Sequence, residues 1–220
     1  MRHQSRIAEH EAVLAEIESI AVAEGVDAVL VAGDIFDTTD PPVDAVRLFY
    51  DWLDRLVGHG ISVVCVGGNH DRQESLDAVA GILRRTGSIH IVGSVPERLE
   101  DCRVELHTVG ESATIVCVPW IRERAVIGWE TLSERPGMVM AAYSANVGAM
   151  LQATGTLLAG VRGPRILMYH GYLNGAVLTV DSGERGYQTA RGFAVPSLDL
   201  PASAQYVALG HIHRPQLVPS

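Results

Sequence analysis

The chain has 220 residues, is 47% hydrophobic and 20% charged, and carries a formal net charge of −9. That composition can bury a sizeable core, which excludes a disordered chain, and no apolar run approaches the ~20 residues of a membrane helix. All 17 basic residues are arginine, set against 26 acids. A basic nucleic-acid-binding patch is therefore not expected, and any phosphate ligand needs another source of positive charge.

Met1 to His10 is polar and has no apolar stretch of signal-peptide type, so no leader is expected. Ser5 to Glu24 is patterned as an amphipathic helix, with Ile7, Leu14, Ile17 and Ala21 on one stripe. Val26 to Ala32 is an apolar run of the kind found in a strand covered on both faces. It ends in Gly33-Asp34-Ile35-Phe36-Asp37, followed by the breaker Asp40-Pro41-Pro42.

Val43 to Val57 is a second helix and Ile61 to Val66 a second buried strand, which runs into Gly67-Gly68-Asn69-His70-Asp71. A third helix is predicted over Ser75 to Thr86 and a short strand over Ile89 to Val92. Val104 to Thr108 and Ala113 to Val118 are patterned as strands of a meander. Ala141 to Ala159 has a helical composition despite interior glycines, and Arg165 to Tyr169 is a strand ending in His170-Gly171. The Gly-rich, polar stretch from Tyr172 to Arg191 shows no period and is expected to be a long loop. Gln205 to Leu209 is a last strand, ending in Gly210-His211-Ile212-His213.

Strands alternating with helices predict parallel βαβ units, and in such sheets ligands bind beyond the carboxyl ends of the strands. Four apolar runs end there in polar clusters: Asp34/Asp37, Asn69/His70/Asp71, His170, and His211/His213. Each has an ordinary alternative, since Gly-Asp and Asn-His-Asp both occur in turns and a single histidine can be a hydrogen-bonded core residue. Four such tips in one chain favour a common site. Carboxylate, amide oxygen and imidazole without thiolate suit Mn²⁺, Fe²⁺ or Zn²⁺ better than Ca²⁺. Paired metals ~3.5–4 Å apart can clamp the oxygens of a phosphoryl displacement and supply the charge the chain lacks. The remaining histidines, His3, His10, His59, His90 and His107, fit no tip and are expected to be surface or structural. Cys65, Cys102 and Cys117 show no metal-type spacing and are expected to be core thiols in a reducing cytoplasm.

These tips, with "SRIAEHEAVLAEI", "VAGDIFDTTDPP" and "GHIHRPQ" around them, resemble the calcineurin-like metallophosphoesterases, and within them the SbcD family of nuclease subunits. The resemblance covers nearly the whole chain. It implies an α/β fold, a metallophosphoesterase-type layered sandwich of β-sheets flanked by helices. It also implies a cytoplasmic, metal-dependent DNA nuclease subunit of repair and recombination, using two divalent metal ions of the Mn²⁺ type and working with an SbcC-type ATPase subunit.

In that family's terms Asp34 would bridge the metals, Asn69, His170 and His211 would complete one, and His213 would belong to the other. His70 would protonate the leaving 3′ oxygen of the DNA substrate or stabilise the transition state, and Asp71 would orient His70. The family opens with a strand carrying Asp-x-His, and no such motif precedes Gly33 here. Residues 1–220 are therefore expected to form the phosphoesterase domain with its first strand missing, without the later capping and partner-docking regions. On that expectation the second metal has only Asp34 and His213 from the protein.

Two other functions stay open on sequence grounds: a small-substrate phosphoesterase of the same superfamily, and a non-catalytic metal-binding scaffold. Phe49, Tyr50 and Trp52 either offer a face for a homodimer or belong to an ordinary core.

Overall fold

The computed structural model describes residues 6–108, 110–128, 135–177 and 193–218. Its elements are α1 (Ile7–Ala23), β1 (Ala28–Val31), α2 (Val43–Gly58), β2 (Ser62–Val66), α3 (Gln73–Leu83), β3 (Ile89–Val92), β4 (Arg103–His107), β5 (Ser112–Val118), α4 (Glu123–Val126), α5 (Pro136–Leu158), β6 (Arg165–His170) and β7 (Tyr206–Gly210). The strands form a parallel sheet ordered β1-β2-β3 and a second sheet ordered β4-β5-β6-β7. In the second sheet β4 pairs antiparallel with β5, while β5, β6 and β7 run parallel.

Side chains alternate across each strand, and this builds four layers. On β2, Val63 and Cys65 face the helices α1, α2 and α3 in one apolar cluster. Val64 and Val66 face the other way, onto Ile115, Cys117 and Met168 of the second sheet. On that second sheet, Val116, Val118, Leu167 and Tyr169 turn outward onto Val147, Leu151 and Leu158 of α5. The order is therefore helices, sheet, sheet, helix, a mixed α/β sandwich. Each fully buried valine or leucine in it contributes ~1.5–3 kcal/mol, so the strand tips are held on a rigid double sheet.

Several expectations are refined. β1 is covered on both faces, by the helix cluster at Val29 and Val31 and by the inter-sheet cluster at Ala28 and Leu30, but all four residues are only half-buried because β1 is an edge strand. The stripe expected on α1 is rotated: Ala21 and Leu14 pack inward, whereas Ile17 remains 38% exposed. The two meander strands do form a hairpin, but β5 then continues into a parallel pair with β6, which carries its tip to the same end as His170.

The helix expected from Ala141 begins earlier, at Pro136, where the fixed φ of proline suits a first turn. Its interior Gly148 has a packing reason, because a Cβ there would collide with the Asp199 carboxylate of the connection crossing the helix. Gln152 holds the same carboxylate at 2.7 Å.

Phe49 and Trp52 are 7% and 2% exposed inside the helix-side core, and Tyr50 packs beside them, so these aromatics follow the core alternative. Cys65, Cys102 and Cys117 are buried and free, as expected of core thiols. Much of the expected long loop, residues 178–192, and His3 lie outside the described residues. The loop's flanks meet in a parallel bridge between Leu173 and Val195. Among the described residues no helix is long and apolar enough to cross a membrane.

Candidate metal centre

The parallel strands deliver their carboxyl ends to one place. Asp34 follows β1, Asn69 to Asp71 follow β2, His170 ends β6, and His211 follows β7. One ligand atom each from Asp34, His170 and His211 lie within 4.8 Å of one another. Asn69 joins them through its Oδ1, 3.2 Å from His170 Nε2. Residues more than a hundred positions apart are thus gathered by sheet topology alone.

His170 is fully buried. Its Nδ1 lies 2.7 Å from the carbonyl oxygen of Ala32, which can only accept, so Nδ1 carries the hydrogen. In the neutral ring Nε2 is then a lone pair, yet it faces Asn69 Oδ1 at 3.2 Å and Asp34 Oδ2 at 3.3 Å. Acceptors pointed at one another require a cation between them or a proton on the ring. A histidine that donates its other N–H to a backbone carbonyl is also the common arrangement for a metal ligand.

His211 points the same way. Both of its ring nitrogens are buried without a hydrogen-bond partner. Burial first, and then the neighbouring His170 charge, push its pKa down to about 3, so the ring is neutral and available as a ligand. Burial pushes Asp34 upward, but the hydrogen bond and charge of His170, with the His70 N–H, outweigh it and hold the carboxyl below its usual range. The donor set therefore fits a divalent cation: an ionised carboxylate, an amide oxygen and two imidazole nitrogens.

Backbone strain collects at the same residues. Among the described residues, Asp34 (φ 51) and His211 (φ 89) are the non-glycine residues with positive φ. Asp34 lies in the left-handed region that aspartate tolerates, whereas φ 89 at His211 lies beyond it and needs the surroundings to enforce it. Gly210 lets β7 come close enough for this. A Cβ there would strike the Ala32 carbonyl oxygen and lie 2.7 Å from His170 Nδ1, the two partners of the hydrogen bond that orients His170. Gly210→Ala is expected to lower stability by about 1–3 kcal/mol. An unchanged urea midpoint would show that this close approach has no cost.

The structure differs from expectation at Asp71. Its carboxylate does not reach the His70 ring. It accepts backbone N–H groups from Gly68 at 2.8 Å, Phe36 at 2.9 Å and Ile35 at 3.1 Å. Burial drives its pKa up against those three donors. Asp71 thus sews the loop after β1 to the loop after β2. The His70 ring is held instead by the backbone carbonyl of Asp37, 2.9 Å from Nδ1. The His70 backbone N–H donates to Asp34 Oδ1 at 3.0 Å.

His213 stands outside the three-residue cluster. It lines a neighbouring cavity of about 420 Å³ together with Asp34, His70 and Asp37. His10, expected to be surface or structural, is exposed but sits on the wall of this same cavity. His59 pairs with Glu18, and His107 lies 2.9 Å from Ser112 Oγ.

Sequence reasoning missed two aromatic neighbours of His211. Trp120, beyond the end of β5, lies 5.0 Å from the His211 ring, and Tyr172, beyond β6, lies 4.0 Å from it, centroid to centroid. The available signal was Val118-Pro119-Trp120: once β5 runs parallel to β6, its tip must reach the site as well.

A two-sheet sandwich with carboxylate, amide and imidazoles on parallel strand tips defines a phosphoesterase of the metal-dependent kind. The chain belongs to the calcineurin-like phosphoesterase family, whose description matches residues 3–215. Membership implies divalent metal ions. Among curated relatives, the chain is 33% identical to SbcD of the nuclease SbcCD from Rhodobacter capsulatus, over 96% of this chain and 54% of that protein. It is 31% identical to the protein of the same name from Bacillus subtilis, over 98% of this chain and 54% of that protein. A shorter match, 28% identical over 46% of this chain and 27% of the relative, links it to the DNA double-strand break repair protein Mre11 of Sulfolobus acidocaldarius. The chain therefore spans about half the length of the SbcD proteins it matches.

Proposed function

We propose that the chain is the phosphoesterase domain of a metal-dependent DNA nuclease subunit. In this reading it hydrolyses phosphodiesters in DNA repair and recombination, in the cytoplasm, alongside an SbcC-type ATPase. The observation that carries the proposal is the convergence of Asp34, Asn69 and His170 around a ring nitrogen that needs a cation or a proton facing those oxygens, with unpartnered His211 beside them. The likeness to the SbcD proteins supports a nucleic-acid substrate.

In this reading Asp34, Asn69, His170 and His211 hold one ion, and Asp34 with His213 contributes to a second. Mn²⁺ suits the mixed oxygen and nitrogen donors. Divalent ions held by these residues would supply Lewis-acid chemistry at the phosphate and a more acidic water at neutral pH. His70 does the proton work. Its Nδ1–H is committed to the Asp37 carbonyl, so Nε2 is the atom that exchanges a proton. Protonated there, it can give that proton to the departing 3′ oxygen.

His70→Ala is expected to reduce Mn²⁺-dependent cleavage of a linear DNA by about 10²–10⁴-fold while leaving Mn²⁺ affinity, measured by calorimetry, close to that of the parent chain. Undiminished cleavage would remove His70 from the reaction. Turnover of p-nitrophenyl phosphate in preference to DNA would favour a small-substrate phosphoesterase. His213 standing outside the three-residue cluster favours a second reading, a metal-binding scaffold without turnover. Native mass spectrometry separates the two: about one ion per chain and no cleavage supports the scaffold.

A further inference from the structure

We propose that Trp120 and Tyr172 form a stacking platform for an unpaired nucleobase beside the candidate metal centre, so that the substrate enters as a single-stranded end. The inference rests on the nuclease reading and narrows its substrate.

Trp120 and Tyr172 come from the tips of two neighbouring parallel strands, and both contact His211. The Trp120 ring is tilted 31° to the imidazole at 5.0 Å, and the Tyr172 ring meets it edge-on at 4.0 Å. Tyr143 and Tyr169, in the same half of the molecule, are sealed in at 2% and 1% exposed. Trp120 and Tyr172 are instead half-buried, in contact with the metal centre and still open to solvent. Position is also specific for Trp120, whose backbone N–H donates to the Gly67 carbonyl at 2.8 Å and whose carbonyl accepts from the buried Gln73 side chain at 2.7 Å.

One cavity adjoins the metal centre, and a second lies beyond Tyr172. The first, of about 420 Å³, is reached past His70 and His213. The second, of about 450 Å³, is lined by Tyr172, Asn174, Ala194 and Ile212. Ordinary electrostatic affinity for a DNA strand is weakened by charge, since the chain carries a net −9. Stacking on aromatic faces needs no positive charge and accepts any base. It does need a base whose face is free, which a paired, stacked duplex interior does not offer.

The test uses the 220-residue chain carrying His70→Ala, with Mn²⁺, so that the probe survives. Binding of fluorescein-labelled pentathymidylate is compared by anisotropy with that of the same oligonucleotide built from abasic residues. The thymidylate is expected to bind about tenfold or more tighter. Trp120→Leu and Tyr172→Leu are each expected to reduce that preference by roughly 5–100-fold, with Trp120→Phe and Tyr172→Phe retaining most of it.

Equal weakening of both probes would assign the rings to support of His211 and overturn the platform. So would an unchanged preference in the leucine variants, or equal or absent binding of both probes by the parent. Tight binding of a blunt duplex, indifferent to all four variants, would overturn the single-strand assignment. Cleavage by the unsubstituted chain is scored separately. Base-dependent binding without cleavage would sink the nuclease reading and leave the platform, and base-indifferent cleavage would do the reverse.

Discussion

Treated with EDTA, the chain is expected to lose unfolding free energy as the pH falls from about 6.5 toward 3, with His211 contributing roughly 3–6 kcal/mol of that loss. In the folded state burial and the neighbouring His170 hold His211 at about 3, whereas in the unfolded chain it titrates near 6.5. Between those values the unfolded state binds a proton that the native state does not. Stability is therefore intact above about 6.5 and is lost as pH falls through the window, by about 1.4 kcal/mol per unit. Asp34, held below its ordinary value, adds a loss of the same sign below the usual carboxylate range. Asp71, raised by burial, binds a proton earlier in the folded state and opposes the loss just above that range.

His211→Asn isolates the histidine. Asparagine tolerates positive φ and has no such titration, so the variant is expected to match or exceed the parent at pH 7.5 and to show a shallower acid limb by about one proton. Urea unfolding at about pH 7.5, 5.5 and 4.5 measures both, and parallel limbs for parent and variant would remove His211 from the linkage. The same property bears on metal loading. A ring neutral throughout the physiological range needs no deprotonation to bind a cation, and acid is expected to release the ion only when it competes at the other donors.

The strand tips were legible in the sequence because buried parallel strands are uninterrupted apolar runs, and a polar cluster at the end of such a run stands out. Asp34, Asn69, His170 and His211 were found that way, and the structure places them together. What pattern could not supply is pairing. Nothing in Ser112–Val118 distinguishes a strand that ends a hairpin from one that also pairs in parallel with β6, so Trp120 was not seen to reach the site. Hydrogen-bond direction was equally hidden. Asp71 follows His70 in the chain, and adjacency suggested that one orients the other, but side chains at neighbouring positions outside a helix commonly diverge. The carboxylate went to three backbone donors, and a carbonyl from the other loop took the imidazole. The rotation of α1 has a similar origin: Ile17 and Ala21 lie one turn apart, and only packing against α2 decides which is buried.

Asp71→Ala is expected to be the most damaging single change at the site for stability. The carboxylate is 2% exposed, and its removal strands the N–H groups of Gly68, Phe36 and Ile35. A buried donor left without a partner costs about 1–3 kcal/mol, so the three together come to about 3–6 kcal/mol after some relaxation. The effect extends to the metal centre, because the same two loops carry Asp34 and Asn69, and His70 donates its N–H to Asp34 across them. Mn²⁺ affinity is therefore expected to fall along with the urea midpoint. Asp71→Asn keeps one acceptor oxygen and loses the ionisation penalty that burial imposes on the carboxylate, but turns an NH₂ toward a backbone N–H. It is expected to fall between the parent and the alanine variant. If Asp71 instead acted by orienting His70, Asp71→Ala would leave the urea midpoint and Mn²⁺ affinity intact and lower only the cleavage rate. That outcome would show that the three backbone hydrogen bonds do not hold the two loops together.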